Sequence, residues 1–239
     1  MEQTTTPTHP SEGEKQAKRI QTAFTGNIER KVLVWLAERQ PRWVTSDMLT
    51  FVGTFGAFLV GLGFALTHYG IGWLWLSIVG LAVNWYGDSL DGTLARVRNT
   101  QRPVYGYYLD HTVDCINEAF MFFGAGLSPL LNLNLALTAF ILYLFMTINV
   151  SMNAHLKSEF RLTYAKLGPT EFRLLIVVGC LVLIAFPRLA TFSLQFSSVT
   201  LQFLDLLALA IIVVLAFIYI FTIIGDARKY SRLDPPKKR

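Results

Sequence analysis

Apolar positions along the chain run in long blocks broken by short polar stretches. Six blocks stand out, roughly 49–67, 71–90, 104–127, 133–154, 172–187 and 201–225. About 20 consecutive apolar residues suffice to cross a bilayer as a helix. The pattern therefore predicts an all-α integral membrane protein with six transmembrane helices joined by short antiparallel connections. Ahead of the first block, NIERKVLVWLAERQPRW sets Val32, Leu33, Trp35 and Leu36 among charged residues. That interleaving predicts an amphipathic interfacial helix ending near Pro41. Residues 1–24 lack the apolar stretch of a signal peptide and are expected to be disordered. The expected divisions are a disordered cytoplasmic N-terminus at 1–24, an interfacial helix at 25–43, a six-helix transmembrane domain at 44–227 and a basic cytoplasmic tail at 228–239. No internal repeat or second globular domain is visible.

Composition agrees with this pattern. Of 239 residues 53% are hydrophobic and 15% charged, and the mean hydropathy is +0.43, too apolar for an ordinary soluble domain. Net charge is +5, and all of the 21 Lys and Arg except Arg188 fall on one side of the six-span arrangement. The positive-inside rule then puts both termini in the cytoplasm, and an even number of spans independently requires them to share a side. The basic side would attract anionic lipid. Nucleic acid is excluded as a partner, because the basic residues flank membrane spans. Cys115 and Cys180 both fall inside blocks and read as buried thiols rather than a disulfide framework.

Against this background, GDSLDGTLARVRNTQRPVYGYYLDHTVD (Gly87–Asp114) places Asp88, Asp91, Asp110 and Asp114 at or inside the margins of the second and third blocks. The stretches from Ile71 to Asp88 and from Asp110 to Leu127 are equal, each about 25 Å as helix. In antiparallel neighbours both acid pairs therefore reach one depth, just inside the cytoplasmic boundary. Asp88 and Asp91 are spaced i, i+3, and Asp110 and Asp114 i, i+4, so each pair shares a helical face. An Asp at a helix centre costs about 2.5–3.5 kcal/mol on insertion scales. Four facing carboxylates would also repel, and a divalent cation between them relieves both penalties. An oxygen-only set favours Mg²⁺, Mn²⁺ or Ca²⁺ over zinc, and Mg²⁺ with few protein ligands usually serves phosphate chemistry. The bland alternative is that the acids cap helices and pair with Arg96, Arg98 and Arg102. Gly92, Ala95 and Gly106 keep the acid-bearing face small enough for close approach of a helix or ligand, and Arg96 can grip a diphosphate in bidentate fashion.

The order Asp88-x2-Asp91-Gly92-x2-Ala95-Arg96-x9-Gly106-x3-Asp110-x3-Asp114 resembles the complete signature of the CDP-alcohol phosphotransferases (CDP-alcohol phosphatidyltransferases). The resemblance extends to six spans, an interfacial N-terminal helix and VTSDMLTFVG opening the first block. It implies transfer of a substituted phosphoryl group from a CDP-linked donor to an alcohol acceptor with release of CMP, in phospholipid biosynthesis. It implies a two-metal site of Mg²⁺ or Mn²⁺ on Asp88, Asp91, Asp110 and Asp114, with Asp114 also the base for the acceptor hydroxyl. Gly92, Ala95, Arg96 and Gly106 would accommodate the cytidine diphosphate portion. The site would face the cytoplasm of a multi-pass protein, with membrane lipid as a partner and homodimers frequent among relatives.

The compact six-span chain looks like the phosphatidyltransferases that use CDP-diacylglycerol. Against this, His111 directly after Asp110, and Thr170-Glu171, resemble the aminoalcohol branch, which uses CDP-ethanolamine or CDP-choline with a diacylglycerol-type acceptor. The basic connection 155–173, with His155, Lys157, Arg161, Lys166 and Arg173, suits a phosphorylated acceptor or simple lipid contact. Glu118 is an intramembrane acid one turn past Asp114, Asn84 reads as helix-packing glue, and Asp205 lies towards the outer side. A prenyltransferase would not need the Gly-x-x-Ala-Arg element. A metal-ion transporter, the remote alternative, would carry polar residues through the full bilayer depth.

Overall fold

The computed structural model describes residues 18–20, 26–157, 159–161, 169–196 and 199–236. The expected disordered leader lies outside these residues except for 18–20, as does much of the basic 155–173 connection. Elements follow in the order β1 (Lys18–Ile20), α1 (Gly26–Glu38), α2 (Ser46–Ala65), α3 (Leu74–Val97), α4 (Pro103–Gly126), α5 (Leu133–Lys157), β2 (Glu159–Arg161), α6 (Pro169–Ala185), a short α7 (Pro187–Ala190), β3 (Ser193–Phe196), β4 (Val199–Gln202) and α8 (Phe203–Leu233). A long helix thus coincides with each apolar block. Two short strand pairs were not expected: β1 runs parallel to β2, and β3 antiparallel to β4. The second takes the first two residues of the sixth block, where SLQF and VTLQ alternate in polarity and favour strand. Among the described residues three helices are long and apolar enough to cross a membrane by themselves: α2 with its 3₁₀ extension to Tyr69, α5 over Leu133–Asn153, and α8. The helices that carry the aspartates, α3 and α4, and the 17-residue α6 lie outside that set.

Local signals explain the boundaries. Thr45 caps α2, its Oγ1 accepting from Met48 N at 3.2 Å and so satisfying one exposed N–H group, while Asp47 in the first turn complements the helix dipole. Asn99 ends α3 in the left-handed region at φ 54°, tolerated by its short polar side chain, while Thr100 N reaches back to Ala95 O at 3.0 Å. Pro103 then opens α4 at its first position, where its missing N–H costs nothing. The link between the two acid-bearing helices is therefore short. It is also tethered: Arg98 donates to Gln40 O at 2.9 Å, Pro41 O at 2.8 Å and Val44 O at 2.5 Å.

The packing of α2 positions everything else. Its Gly53, Gly56, Gly61 and Gly63 are buried, and a Cβ at Gly56 would lie 2.8 Å from Asn84 Cα and 2.8 Å from Gly80 O on α3. On the other side, Gly61 meets the backbone of Phe120 and Gly124 on α4. Lipid tails give apolar helices little reason to associate, so small-residue faces and interhelical hydrogen bonds supply the attraction. Those bonds run Ser77 Oγ to Val60 O (2.9 Å), Asn84 Nδ2 to Gly53 O (3.0 Å) and Ser46 Oγ to Asp91 O (3.0 Å). Helix α1 packs Leu33 and Ala37 against Leu49, Leu90 and Leu94, leaving Ile28, Val32 and Trp35 exposed. Far from this wedge, α8 is apolar around its circumference and leaves Ile211, Val214, Phe217 and Phe221 uncovered. Such a surface belongs in lipid, and the protein is an integral membrane protein.

Candidate active site

The aspartates of α3 and α4 meet where these helices flank α2. Carboxylate oxygens of Asp88, Asp110 and Asp114 all lie within 4.8 Å of one another. Behind Asp88 the α2 backbone comes so close that a Cβ at Gly53 would lie 3.0 Å from Asp88 N, which fixes the depth of that carboxylate. Asp91 is placed differently. Its Oδ2 accepts from Thr50 Oγ1 at 2.7 Å and its Oδ1 from Gly92 N. An i, i+3 step leaves about 60° between side chains on a helix, enough for Asp88 to face α4 while Asp91 faces α2.

Of the arginines weighed as partners for the acids, Arg98 is spent on backbone carbonyls, and Arg102 pairs with Asp47 at 3.8 Å while lying over the Tyr105 ring. Arg96 donates to Thr93 Oγ1 at 2.9 Å and lies across Gly92, whose absent Cβ would meet its Nη1 at 3.4 Å. Gly106 has open space around its Cβ position. Ala95 is half-buried in the same last turns of α3. Gly92, Ala95, Arg96 and Gly106 thus stand at the ends of α3 and α4 that carry the acids.

Sequence reasoning placed Arg173 in a basic connection suited to a phosphorylated acceptor or lipid, and did not anticipate its contact with the acids. Arg173 on α6 places Nη2 2.5 Å from Asp88 Oδ2, and its Nε donates to Asn84 Oδ1 at 3.0 Å. Asn84 is helix glue, as expected, but it is also the second hold on this guanidinium. It stands one turn before Asp88 on the same face, a spacing that could have marked it. His111 Nδ1 is 3.0 Å from Tyr107 O and 3.6 Å from Asp110 Oδ2, with its ring against Tyr107. Past Asp114, Asn117 Oδ1 and Glu118 Oε2 are buried without a hydrogen-bond partner among the described residues. Asp205 is remote from this group: it accepts from Asn132 N at 2.7 Å and Gln202 N at 2.9 Å, capping α8.

Three clustered carboxylates and a buried Glu118 oxygen one turn deeper form an acceptor-only set, with Arg173 against Asp88. Hard divalent cations fit this donor chemistry. Clustered carboxylates in an apolar surround are costly and repel one another, and a bound cation would offset both penalties.

The chain belongs to the CDP-alcohol phosphatidyltransferase family, whose profile matches residues 43–218. That span contains all eight signature residues. The chain is also similar to the phosphatidylinositol phosphate synthase of Cutibacterium acnes (strain DSM 16379 / KPA171202), being 38% identical over 84 residues. The match covers 35% of this chain and 38% of that relative's length.

Proposed function

We propose that this protein transfers a phosphatidyl group from CDP-diacylglycerol to a polar, phosphorylated alcohol, releasing CMP at the cytoplasmic face of a membrane. The observation that carries the proposal is the convergence of Asp88, Asp110 and Asp114 within 4.8 Å in a chain of this family. The name of the relative describes a product with both a phosphatidyl group and a further phosphate, which favours the lipid donor over a CDP-linked head group.

Asp88, Asp110 and Asp114 would hold the metal, Mg²⁺ or Mn²⁺, with Asp91 completing a two-metal site by exchanging its Thr50 bond. When bound, the cations supply charge neutralisation and electrophilic pull on the diphosphate. Arg96 grips the diphosphate, and Gly92, Ala95 and Gly106 leave room for the cytidine portion. Asp114 accepts the proton of the acceptor hydroxyl as that oxygen bonds to phosphorus. The donor's phosphorus–oxygen bond to CMP breaks, and CMP leaves with the electron pair. In this arrangement six helices span the bilayer, α1 lies in the interface with Ile28, Val32 and Trp35 towards lipid, and both termini are cytoplasmic. The one-sided distribution of Lys and Arg supports that orientation.

A second reading keeps the chemistry and exchanges the donor. Asp110-His111-x-x-Asp114 matches the aminoalcohol version of the motif, with CDP-ethanolamine or CDP-choline as donor and diacylglycerol as acceptor. CMP release by purified protein with Mg²⁺ or Mn²⁺ separates the two. CDP-diacylglycerol with phosphorylated polyols should give CMP, and Asp114→Asn should abolish it. CMP from the CDP-aminoalcohol pair alone would overturn the lipid-donor assignment.

A further inference from the structure

Glu29 lies in the first turn of α1, outside the acidic cluster. Yet its Oε1 accepts from two other helices, Trp85 Nε1 on α3 at 2.9 Å and Thr170 Oγ1 on α6 at 2.7 Å. Trp85 directly follows Asn84 and stands three residues before Asp88. Thr170 is one turn before Arg173. One oxygen at the edge of the bundle therefore joins both sides of the Arg173–Asp88 ion pair.

That pair is well enclosed, with side-chain exposures of 16% for Arg173 and 22% for Asp88. The guanidinium is also fixed in direction by Asn84, which is itself 1% exposed. A fork held on two acceptors loses little freedom on binding and is not a loose surface contact. It occupies an oxygen of one of the three clustered carboxylates, so a cation arriving at the cluster competes with it. The two bonds to Glu29 act differently. Trp85 ties α1 to α3, which already holds Asp88, whereas Thr170 sets where α6, and with it Arg173, sits over α3.

Resting on the metal site proposed above, we propose that Glu29 is a positioning residue. Through Thr170 it sets α6 so that Arg173 serves as an internal counter-cation on Asp88, displaced when a divalent metal binds. The helix expected to lie at the lipid interface is thereby coupled to the ease with which the site takes up metal. The step is an exchange of cations, with no bond made or broken.

The test is the Mn²⁺ affinity of the purified full-length protein without nucleotide, read from the paramagnetic resonance signal of free Mn²⁺. Arg173→Gln should bind Mn²⁺ more tightly by about tenfold or more, the factor implied by one lost hydrogen bond to a charged group. Thr170→Val should move affinity the same way by about threefold, Thr170→Ser should restore the wild-type value, and Thr170→Val should add nothing in the Arg173→Gln background. Trp85→Phe should lower thermal stability and leave Mn²⁺ affinity unchanged. Weaker binding in Arg173→Gln, an unchanged Thr170→Val, or a Thr170→Val shift that survives without Arg173 would overturn the proposal. Wild-type protein that binds no Mn²⁺, or Asp114→Asn that binds it as the wild type does, would instead remove the metal site and this inference with it.

Discussion

The backbone contact of Gly56 with α3 offers a sharp test of the fold. In Gly56→Ala the new Cβ would lie 2.8 Å from Asn84 Cα and from Gly80 O, where ordinary contacts begin at 3.4 Å. The Asn84 amide nitrogen would be closer still, and all three neighbours are backbone, so no rotamer change relieves the clash and α3 must retreat from α2 by about 1 Å. Overpacking of this kind costs about 1–3 kcal/mol, which lowers the melting temperature by about 2–4 °C per kcal/mol for a chain of this size. The displaced residue is Asn84, which holds Arg173 and precedes Asp88 by one turn, so the clustered carboxylates move with it. Misplacement by about 1 Å costs about 100-fold in rate, and a tenfold or greater loss of CMP release is expected here. Gly72→Ala is the matched control, since its Cβ would meet nothing within 4 Å. Thermal melts and CMP release on both variants decide the matter. A Gly56→Ala protein as stable and as active as Gly72→Ala would refute the claim that backbone contact between α2 and α3 sets the site.

Other outcomes follow from individual contacts. Thr50→Val removes the donor to Asp91 Oδ2 and should cost about 1.5–3 kcal/mol in thermal unfolding, while Thr50→Ser should stay near wild type. Arg98→Lys should lose most of the tether between the α3–α4 link and the α1–α2 turn, because an ammonium cannot reach Gln40 O, Pro41 O and Val44 O together as a planar fork does. Limited proteolysis should then cut that link faster. Asp205→Ala should destabilise by about 1–2 kcal/mol through the lost α8 cap while leaving CMP release per folded molecule unchanged. A loss of turnover there would place Asp205 in the chemistry.

Hydropathy made the helices legible: among the described residues, each long helix beyond α1 falls on a block read from the chain, and α2, α5 and α8 are apolar and long enough to cross a membrane. Common depth and helical spacing put all four acids in one facing set, of which Asp88, Asp110 and Asp114 meet while Asp91 turns to Thr50. What escaped was set by contacts distant in sequence. Nothing local in GPTEFRLL says that Arg173 reaches Asp88 and Asn84, since that depends on how α6 docks against α3. The Thr50–Asp91 bond was hidden for a related reason: spacing gives the face that a residue shares, but not which neighbouring helix lies opposite. The strands at 193–202 were masked by the apolar block beside them. Asp205 was expected towards the outer side without a catalytic role, and its capping of α8 needed the observed bonds to Asn132 and Gln202.

The wedge of α2, α3 and α4 has a consequence for biogenesis. Every clustered carboxylate, the Thr50 that holds Asp91 and the glycine contacts that set their spacing lie between Thr45 and Gly126. Domains emerge and fold from the N-terminus during synthesis, so the acidic cluster can form while the later helices are still on the ribosome. Until α6 follows with Arg173, the nascent chain would hold its most repulsive group of charges without its internal counter-ion. The order of translation therefore makes insertion of the first three long helices the stage at which a divalent cation would matter most.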